Sequence, residues 1–158
     1  MQVRIENITE RKLIGMKTKM SFDDNKTSEL WRDFMSKRFQ IQNAISTNLF
    51  SIEVYPSVDY FKEFDSKASF DKWAAVEVAD FTNIPLGFDV IKIPQGLYAV
   101  FTYVGSANEG FKAYQYIYGT WIPNSTYKID DRPHFALMGE KYKNNDPSSE
   151  EEIWIPIK

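Results

Sequence analysis

The sequence predicts an α+β fold, in which duplicated strand-helix-strand-strand units form one curved antiparallel sheet with two main helices. The order strand, helix, strand, strand occurs twice along the chain, which favours two related units on one sheet. Aromatic residues keep nearly the same offset between the halves, since Trp73 and Trp154 repeat the spacing of Phe34 and Tyr114. The expected organisation is one domain of two pseudo-repeats: residues 1–158, divided into about 1–82 and 83–158.

The first half is predicted to contain one helix among three strands. The helix begins after Asp23-Asp24-Asn25, whose side chains are suited to a helix N-terminus. Alternation in residues 72–81 indicates a strand with Trp73, Ala75 and Glu77 on one face. The predicted elements are, in chain order, a strand over 3–22 with a bend at Gly15, a helix over 27–40 with Trp31, Phe34, Met35 and Phe39 on one face, a strand over 48–56 and a strand over 72–81.

The second half is predicted to repeat this order. Ser106 to Glu109 has the spacing of a capping box at the start of a helix. The segment Ile122-Pro123-Asn124 is expected to end that helix, because Pro123 has no amide hydrogen to donate and restricts Ile122. The acidic run Glu150 to Glu152 is expected to lie in a solvated loop. The predicted elements are strands over 88–94 and 97–104, a helix from 106 to about 122, and strands over 134–140 and 153–157.

The helix of the second half has an aromatic face. Phe111, Tyr114, Tyr118 and Trp121 recur on it at helical spacing, in a chain that contains 12 Phe, 9 Tyr and 4 Trp. Such a face packs either as ordinary core or along a pocket, and the aromatic face of the first helix leaves the same alternatives open. A cleft between two pseudo-symmetric halves is a favourable place for a ligand, so a central ligand groove is predicted.

Composition excludes several classes of function. The net charge of −3 argues against a protein that grips nucleic-acid phosphates. The absence of cysteine excludes disulfides, thiol catalysis and zinc–thiolate sites, and His134, the one histidine, builds no familiar zinc site by itself. No apolar run is long enough to span a bilayer, and the N-terminus lacks the apolar segment of a signal peptide. We therefore expect a cytoplasmic protein without cofactor, metal, or direct contact with nucleic acid or membrane.

Four segments of the chain carry a resemblance to a known family: FDKWAAVEV (70–78), FDVIKIPQGLYAVFTYVG (88–105), YQYIYGTWIPNSTYKIDDRPHF (114–135) and EEIWIPI (151–157). Together they resemble the gyrase-inhibitor-like family, which is also the AraC-type effector-binding domain family. The combination of IPxGxYAVF, WIPxS, DRPxF and a terminal IPI is specific, although each piece alone would be weak. The likeness extends over nearly the whole chain.

The resemblance implies a small-molecule-binding protein. Members of this family usually bind hydrophobic, aromatic or cationic drug-like compounds between aromatic walls, and many act within multidrug-responsive transcription regulators. Since no DNA-binding segment precedes Met1, the expectation is a stand-alone effector-binding or drug-sequestering module. Two alternatives stay open: a hydrolase of cyclopropane-bearing genotoxins, and an inhibitor that binds DNA gyrase. A transcription regulator is a further partner that the resemblance implies.

One departure from the family pattern concerns the charge of the ligand. In the family a buried glutamate commonly follows the Phe of DRPxF, but Ala136 follows Phe135 in this chain. Because an isolated buried carboxylate is costly, its loss is expected to favour neutral or differently charged ligands and to weaken the hydrolase alternative. Glu77 either substitutes for that carboxylate or faces solvent. Trp73 and Trp154, at equivalent places in the two halves, are candidates for stacking on a flat ligand. The complete set of predicted ligand-binding residues is Trp31, Phe34, Trp73, Glu77, Tyr114, Tyr118, Trp121, His134, Ala136 and Trp154, and no catalytic residue is predicted.

Overall fold

The computed structural model describes all residues from 1 to 158, which form eight antiparallel strands and two main helices. The predicted α+β fold is confirmed. The strands are β1 (Gln2–Ile8), β2 (Arg11–Met20), β3 (Leu49–Val54), β4 (Phe70–Glu77), β5 (Asp89–Ile93), β6 (Gly96–Val104), β7 (His134–Met138) and β8 (Glu150–Pro156). Helix α1 (Thr27–Lys37) is followed by a 3₁₀ turn at Arg38–Gln40. Helix α2 (Gly110–Tyr116) follows a 3₁₀ turn at Ala107–Glu109. It continues through a π-helical turn (Ile117–Trp121) into the short helix α3 (Ile122–Asn124).

The strand order in the sheet is β1-β6-β8-β7-β3-β4-β2-β5. Each strand from β1 to β4 has the same place, counted from one edge of the sheet, as its counterpart from β5 to β8 has from the other edge. The sheet is therefore pseudo-symmetric, with β3 and β7 side by side at its centre. The two halves also exchange their first strands, because β1 pairs with β6 and β5 pairs with β2. The boundary placed near residue 82 stays a prediction.

Helix α1 packs on β2 and β4. Its buried residues Leu30 and Phe34 contact the cluster that contains Ile14, Ala74 and Val76, all on one face of the sheet. Leucine and phenylalanine four residues apart lie on the same side of a helix, so one apolar stripe covers these strands. Two members of the predicted apolar face of this region do not join it, because Met35 and Phe39 are 44% and 78% exposed.

Helix α2 and the π-helical turn pack on the other half of the same face through Ala113 and Ile117. Gly110, Ala113 and Ile117 are its buried positions, and the cluster beneath them includes Phe101 and Ile155. The larger rings of Tyr114, Tyr118 and Trp121 pack against the same cluster and are partly buried. Phe111, which was predicted on the same face, is 56% exposed.

The sheet face opposite the helices is also buried. It holds the largest apolar cluster of the protein, with Phe50, Trp73, Tyr98, Phe135 and Trp154 among its members. Alternation along β4 places Trp73 there and Ala74 on the helix face, as the period of a strand requires. The sheet is therefore covered on both faces in its central strands.

Two predicted strand boundaries were wrong. Residues 3–22 form two strands, β1 and β2, separated at Thr9-Glu10, because β1 leaves to pair with the second half. The acidic residues Glu150 to Glu152 were predicted as a loop, but they form the start of β8 and pair with Thr102 to Val104 of β6. Their charge is compatible with a strand because Glu152 pairs with Arg4 and all three are only partly exposed.

The second helical segment begins and ends at the predicted residues but lacks the predicted side-chain cap. The side chain of Ser106 makes no capping hydrogen bond. The helical segment ends at Asn124, within the predicted Ile122-Pro123-Asn124. Pro123 occupies one of the first positions of α3, where a missing amide hydrogen is tolerated. None of these helices has the length and hydrophobicity needed to cross a membrane.

Candidate functional site

Small residues form a low floor at the centre of the sheet on its helix face. Ser51 of β3 lies between Ala74 of β4 and Ala136 of β7, and Ala136 in turn pairs with Ile153 of β8. We call the region above Ser51 and Ala136, lined by Glu53, Tyr114, Tyr118 and Glu151, the central groove. The floor is covered in this state, since Ser51 is 8% and Ala136 3% exposed. The side chains around it therefore reach over the small residues.

One ion pair lies at the edge of the central groove. Lys72 Nζ lies 2.8 Å from Glu53 Oε1, and the side chains are only 10% and 12% exposed. The pair follows from the sheet register, which places Glu53 of β3 opposite Lys72 of β4 on one side and His134 of β7 on the other. A buried carboxylate requires such a partner, so the charge of Glu53 is already compensated within the protein.

Tyrosine rings form the wall of the central groove. Tyr118 stacks on Phe61 with ring centroids 3.8 Å apart and planes at 11°, and Tyr114 lies parallel to Tyr118 at 6.5 Å. Tyr55 completes this wall, with its ring perpendicular to that of His134 at 4.9 Å. Burial, followed by the charge of Glu53, raises the pKa of Tyr55, Tyr114 and Tyr118 well above the ordinary value. These hydroxyls are therefore neutral hydrogen-bonding groups throughout the physiological range.

His134 is a neutral partner of Tyr118. The Tyr118 hydroxyl and His134 Nδ1 share a hydrogen bond of 2.7 Å. Burial, together with the positive charge of Arg132, lowers the pKa of His134 to about 3. The imidazole thus stays uncharged at neutral pH and fixes the orientation of the Tyr118 ring.

Glu151, like Ser51, Glu53, Tyr55, Phe61 and Lys72, is a residue of this region that the sequence did not reveal. It pairs with Tyr103 in the sheet and, by alternation, shares the helix face with Ile153. Its side chain takes part in no ion pair or hydrogen bond within the chain. Burial raises the pKa of Glu151 to about 7, with the Glu53 carboxylate adding to the rise and Lys72 opposing it. If the strand predicted over 153–157 had begun two residues earlier, the alternation of Glu151, Ile153 and Ile155 would have placed this carboxylate on the helix face.

Four of the ten predicted ligand-binding residues lie together in or beside the central groove. Tyr114 and Tyr118 line its wall, His134 supports Tyr118, and Ala136 forms its floor. Trp121 lies farther along the helical segment, where its ring packs edge-on against Phe101 at 5.0 Å. Trp31 and Phe34 pack with each other in the α1 cluster, with ring centroids 5.8 Å apart.

The remaining three predicted residues lie on the opposite face of the sheet. Trp154 stacks on Phe135 at 5.2 Å, and the guanidinium groups of Arg4 and Arg11 lie 5.7 and 5.4 Å from its ring centroid. Trp73 is buried, with Lys17 Nζ 5.5 Å from its ring. Glu77 neither faces the central groove nor points freely into solvent, because it is a partly exposed partner of Arg11 at 3.7 Å. These three residues therefore cannot line one pocket together with Ala136, because the sheet lies between them.

Other features of the surface place no chemistry near the groove. No group of three or more histidine, aspartate and glutamate side chains is arranged to hold a metal ion. A cavity of about 400 Å³ lies between α1 and β2, away from the central groove. Its walls are mostly polar and carry lysine and carboxylate side chains in equal number. It lacks the aromatic rings that mark the central groove.

The comparison of the chain with family models decides its family. The model described as the GyrI-like small-molecule-binding domain matches residues 1–158. The chain belongs to this family. The resemblance predicted from the sequence motifs is thereby confirmed, and the domain is a small-molecule-binding domain by its family. No curated protein shows significant sequence similarity to this GyrI-like chain.

Solved structures share the GyrI-like fold at low sequence identity. A Staphylococcus aureus MU50 protein described as a bacterial transcription regulation protein has a TM-score of 0.72 and 17% identity, with 100% of this chain and 99% of that chain covered. SAV2435 bound to tetraphenylphosphonium has a TM-score of 0.76 and 16% identity, with 100% and 94% covered. EcmrR in a DNA complex has a TM-score of 0.69 and 16% identity, with 99% of this chain and 57% of EcmrR covered. The GyrI-like fold thus occurs in a ligand-bound protein and as part of a longer DNA-binding protein.

Proposed function

We propose that this GyrI-like domain reversibly binds hydrophobic, aromatic cations in the central groove, as an effector-binding or drug-sequestering module. The observation that carries the proposal is Glu151, a partly buried carboxylate that lies among tyrosine rings without a cationic partner in the chain. An uncompensated carboxylate in such a place is costly, and a cationic ligand would remove that cost. The tetraphenylphosphonium bound to SAV2435, which has the same fold, is a ligand of this class.

The rings of the wall suit the same class of ligand. The faces of tyrosine rings attract cations, and aromatic substituents of a ligand stack on them with a large buried area. A lipophilic cation also loses little hydration on entering, because its charge is spread over apolar groups. The floor of Ser51 and Ala136 offers depth once Tyr114 and Tyr118 move apart, since both floor side chains are short.

Charge favours the central groove over the opposite face. There the rings of Trp73 and Trp154 already face Lys17, Arg4 and Arg11. A cationic ligand would meet like charges at these rings, which costs affinity. In the central groove the only cation is Lys72, and Glu53 neutralises it at 2.8 Å.

The first test is a titration of the protein and its tyrosine variants with tetraphenylphosphonium by isothermal calorimetry. We expect Tyr118→Ala to raise Kd roughly tenfold, because the stacking and cation–π contributions of one ring are lost. Tyr118→Phe, which keeps the ring but loses the hydroxyl, should retain most of the affinity. Tyr116→Ala is the matched control, because Tyr116 lies on the same helix and is 43% exposed.

Two results would contradict this assignment. If Tyr118→Ala and the unaltered protein bound the ligand with equal affinity, the ligand would bind outside the central groove. A loss of affinity in Trp73→Phe, with Tyr118→Ala unaffected, would place the site on the opposite face of the sheet instead.

A further inference from the structure

We propose that Glu151 holds a proton in the ligand-free protein and releases it when the single positive charge of a ligand enters the central groove. This inference rests on the proposed function and adds a property to it: the groove distinguishes a monocation from a neutral molecule of the same shape, and the discrimination grows with pH. The groove would then bind such cations in exchange for protons.

The charges of the groove indicate that one proton is exchanged for one cationic ligand. Lys72 and Glu53 neutralise each other at 2.8 Å, and both are too buried for solvent to screen the pair strongly. Glu151 has no ion-pair partner of its own. Its neighbours along β8 do, because Glu150 lies 4.0 Å from Lys141 and Glu152 lies 2.8 Å from Arg4. A protonated Glu151 leaves the groove neutral, and an ionised Glu151 together with one cationic ligand leaves it neutral as well.

The groups that face Glu151 do not compete for this proton. Tyr103 of β6 lies opposite Glu151 in the sheet, and the charge of Glu151 also acts on Tyr114 from α2 and Tyr142 from the connection after β7. The pKa of each tyrosine is raised above its ordinary value, chiefly by burial. From the start of α2, Glu109 and Lys112 form an exposed pair with each other. Across the groove, β3 and β4 present the compensated pair of Glu53 and Lys72.

Histidine is the side chain that usually titrates near neutral pH, and His134 is excluded from that role here. It is the one titratable group that β7 turns toward the groove, and burial together with Arg132 lowers its pKa to about 3. Burial raises the pKa of Glu151 to about 7. Glu151 is therefore the group whose charge changes across the physiological range.

The sign of the effect follows directly. A cation binds better to the ionised carboxylate, so its affinity rises as pH increases toward 7 and levels off above that value. Well below pH 7 the gain approaches tenfold per pH unit, because one proton must leave for each cation bound. A neutral ligand binds better to the protonated carboxyl group, so its affinity is flat or falls over the same range.

The test uses two probes of similar shape on the full chain. Kd of tetraphenylphosphonium, which does not titrate, and of neutral triphenylphosphine oxide is measured by calorimetry at pH 5.5, 6.5 and 7.5. Repeating the cation titration at pH 6.5 in buffers of different ionisation enthalpy counts the protons released. We expect Kd of the cation to fall with pH, a release of about three quarters of a proton at pH 6.5, as a group with a pKa of about 7 allows, and no such trend for the oxide.

Glu151→Gln tests the residue, and Glu150→Gln, on the opposite face of the same strand, is its matched control. Glu151→Gln should bind the cation weakly at all three pH values and release no proton, while Glu150→Gln should behave as the unaltered protein does. Binding that is independent of pH, or a proton release that persists in Glu151→Gln, would overturn this inference and leave the proposed function intact. Failure of both probes to bind would overturn the proposed function as well.

Discussion

Glu151 is placed where it weakens the folded protein. Its pKa is raised to about 7 in the folded state, so between the ordinary value for a glutamate and 7 the folded protein holds a proton that the unfolded chain has lost. The free energy of unfolding therefore decreases as pH rises through this interval, and the full cost is present above pH 7. The residue that we propose to recognise the ligand is thus kept at the expense of stability, as functional residues often are.

The corresponding prediction concerns Glu151→Gln. We expect this variant to be more stable than the unaltered protein by about 1–3 kcal/mol at pH 8, because an uncompensated partly buried charge is removed, and to show little difference at pH 4. Urea denaturation at both pH values measures this. Equal stability at pH 8 would indicate that the carboxylate is already solvated or paired.

At the scale of elements, α2 determines the position of the tyrosine wall. Ala113 of α2 and Ile117 of the π-helical turn pack on the sheet cluster, and that turn (Ile117–Trp121) carries Tyr118 over the floor of the groove. An inserted residue of this kind re-aims the side chains of a helix, and π-helical turns are frequent at functional sites. The position of this helical segment over the sheet therefore sets the geometry of the binding site that we propose.

A larger side chain beneath α2 should disturb both packing and binding. We expect Ala113→Leu to lower the free energy of unfolding by about 1–3 kcal/mol, because it overfills the cluster of Phe101 and Ile155. The displaced helix should also weaken tetraphenylphosphonium binding. Ala107→Leu is the control, since Ala107 is exposed. Urea denaturation and calorimetry give both quantities, and an unchanged stability in Ala113→Leu would show that the interface is loosely packed.

Periodicity along the chain located the elements better than it located the groove. Helical spacing identified Tyr114 and Tyr118, because both residues lie on one helix and need no partner to be recognised. The pairing of Glu53 with Lys72 depends on the register between β3 and β4, and local periodicity carries no information on which strands meet. The sequence did not reveal Glu151 for a different reason. Three successive glutamates are typical of solvent, yet β8 begins with them because β6 provides a partner strand.

Over the whole molecule, the exchange of first strands ties the two pseudo-repeats together. β1 belongs to the first half by sequence but pairs with β6, and β5 pairs with β2 in return. We expect residues 1–82 and 83–158, produced as separate chains, to be unfolded, because each would lose its exchanged strand and expose the pairing edge at the β3–β7 junction. Circular dichroism with thermal scans measures this, and a cooperative transition in either piece alone would contradict the expectation.

The arrangement of β1 and β8 around β6 has a mechanical consequence. Both strands run antiparallel to β6, so β1 and β8 point in the same direction, with Gln2 beside Thr102 and Pro156 beside Tyr98. A force that pulls the two ends of the chain apart therefore acts along the strands and in opposite senses on the two flanks of β6. Hydrogen bonds in antiparallel pairs are perpendicular to the strands, so this load is shared by the whole ladder rather than breaking one bond after another. Stretched by its ends in an optical trap or an atomic force microscope, the protein should rupture in one abrupt, high-force event.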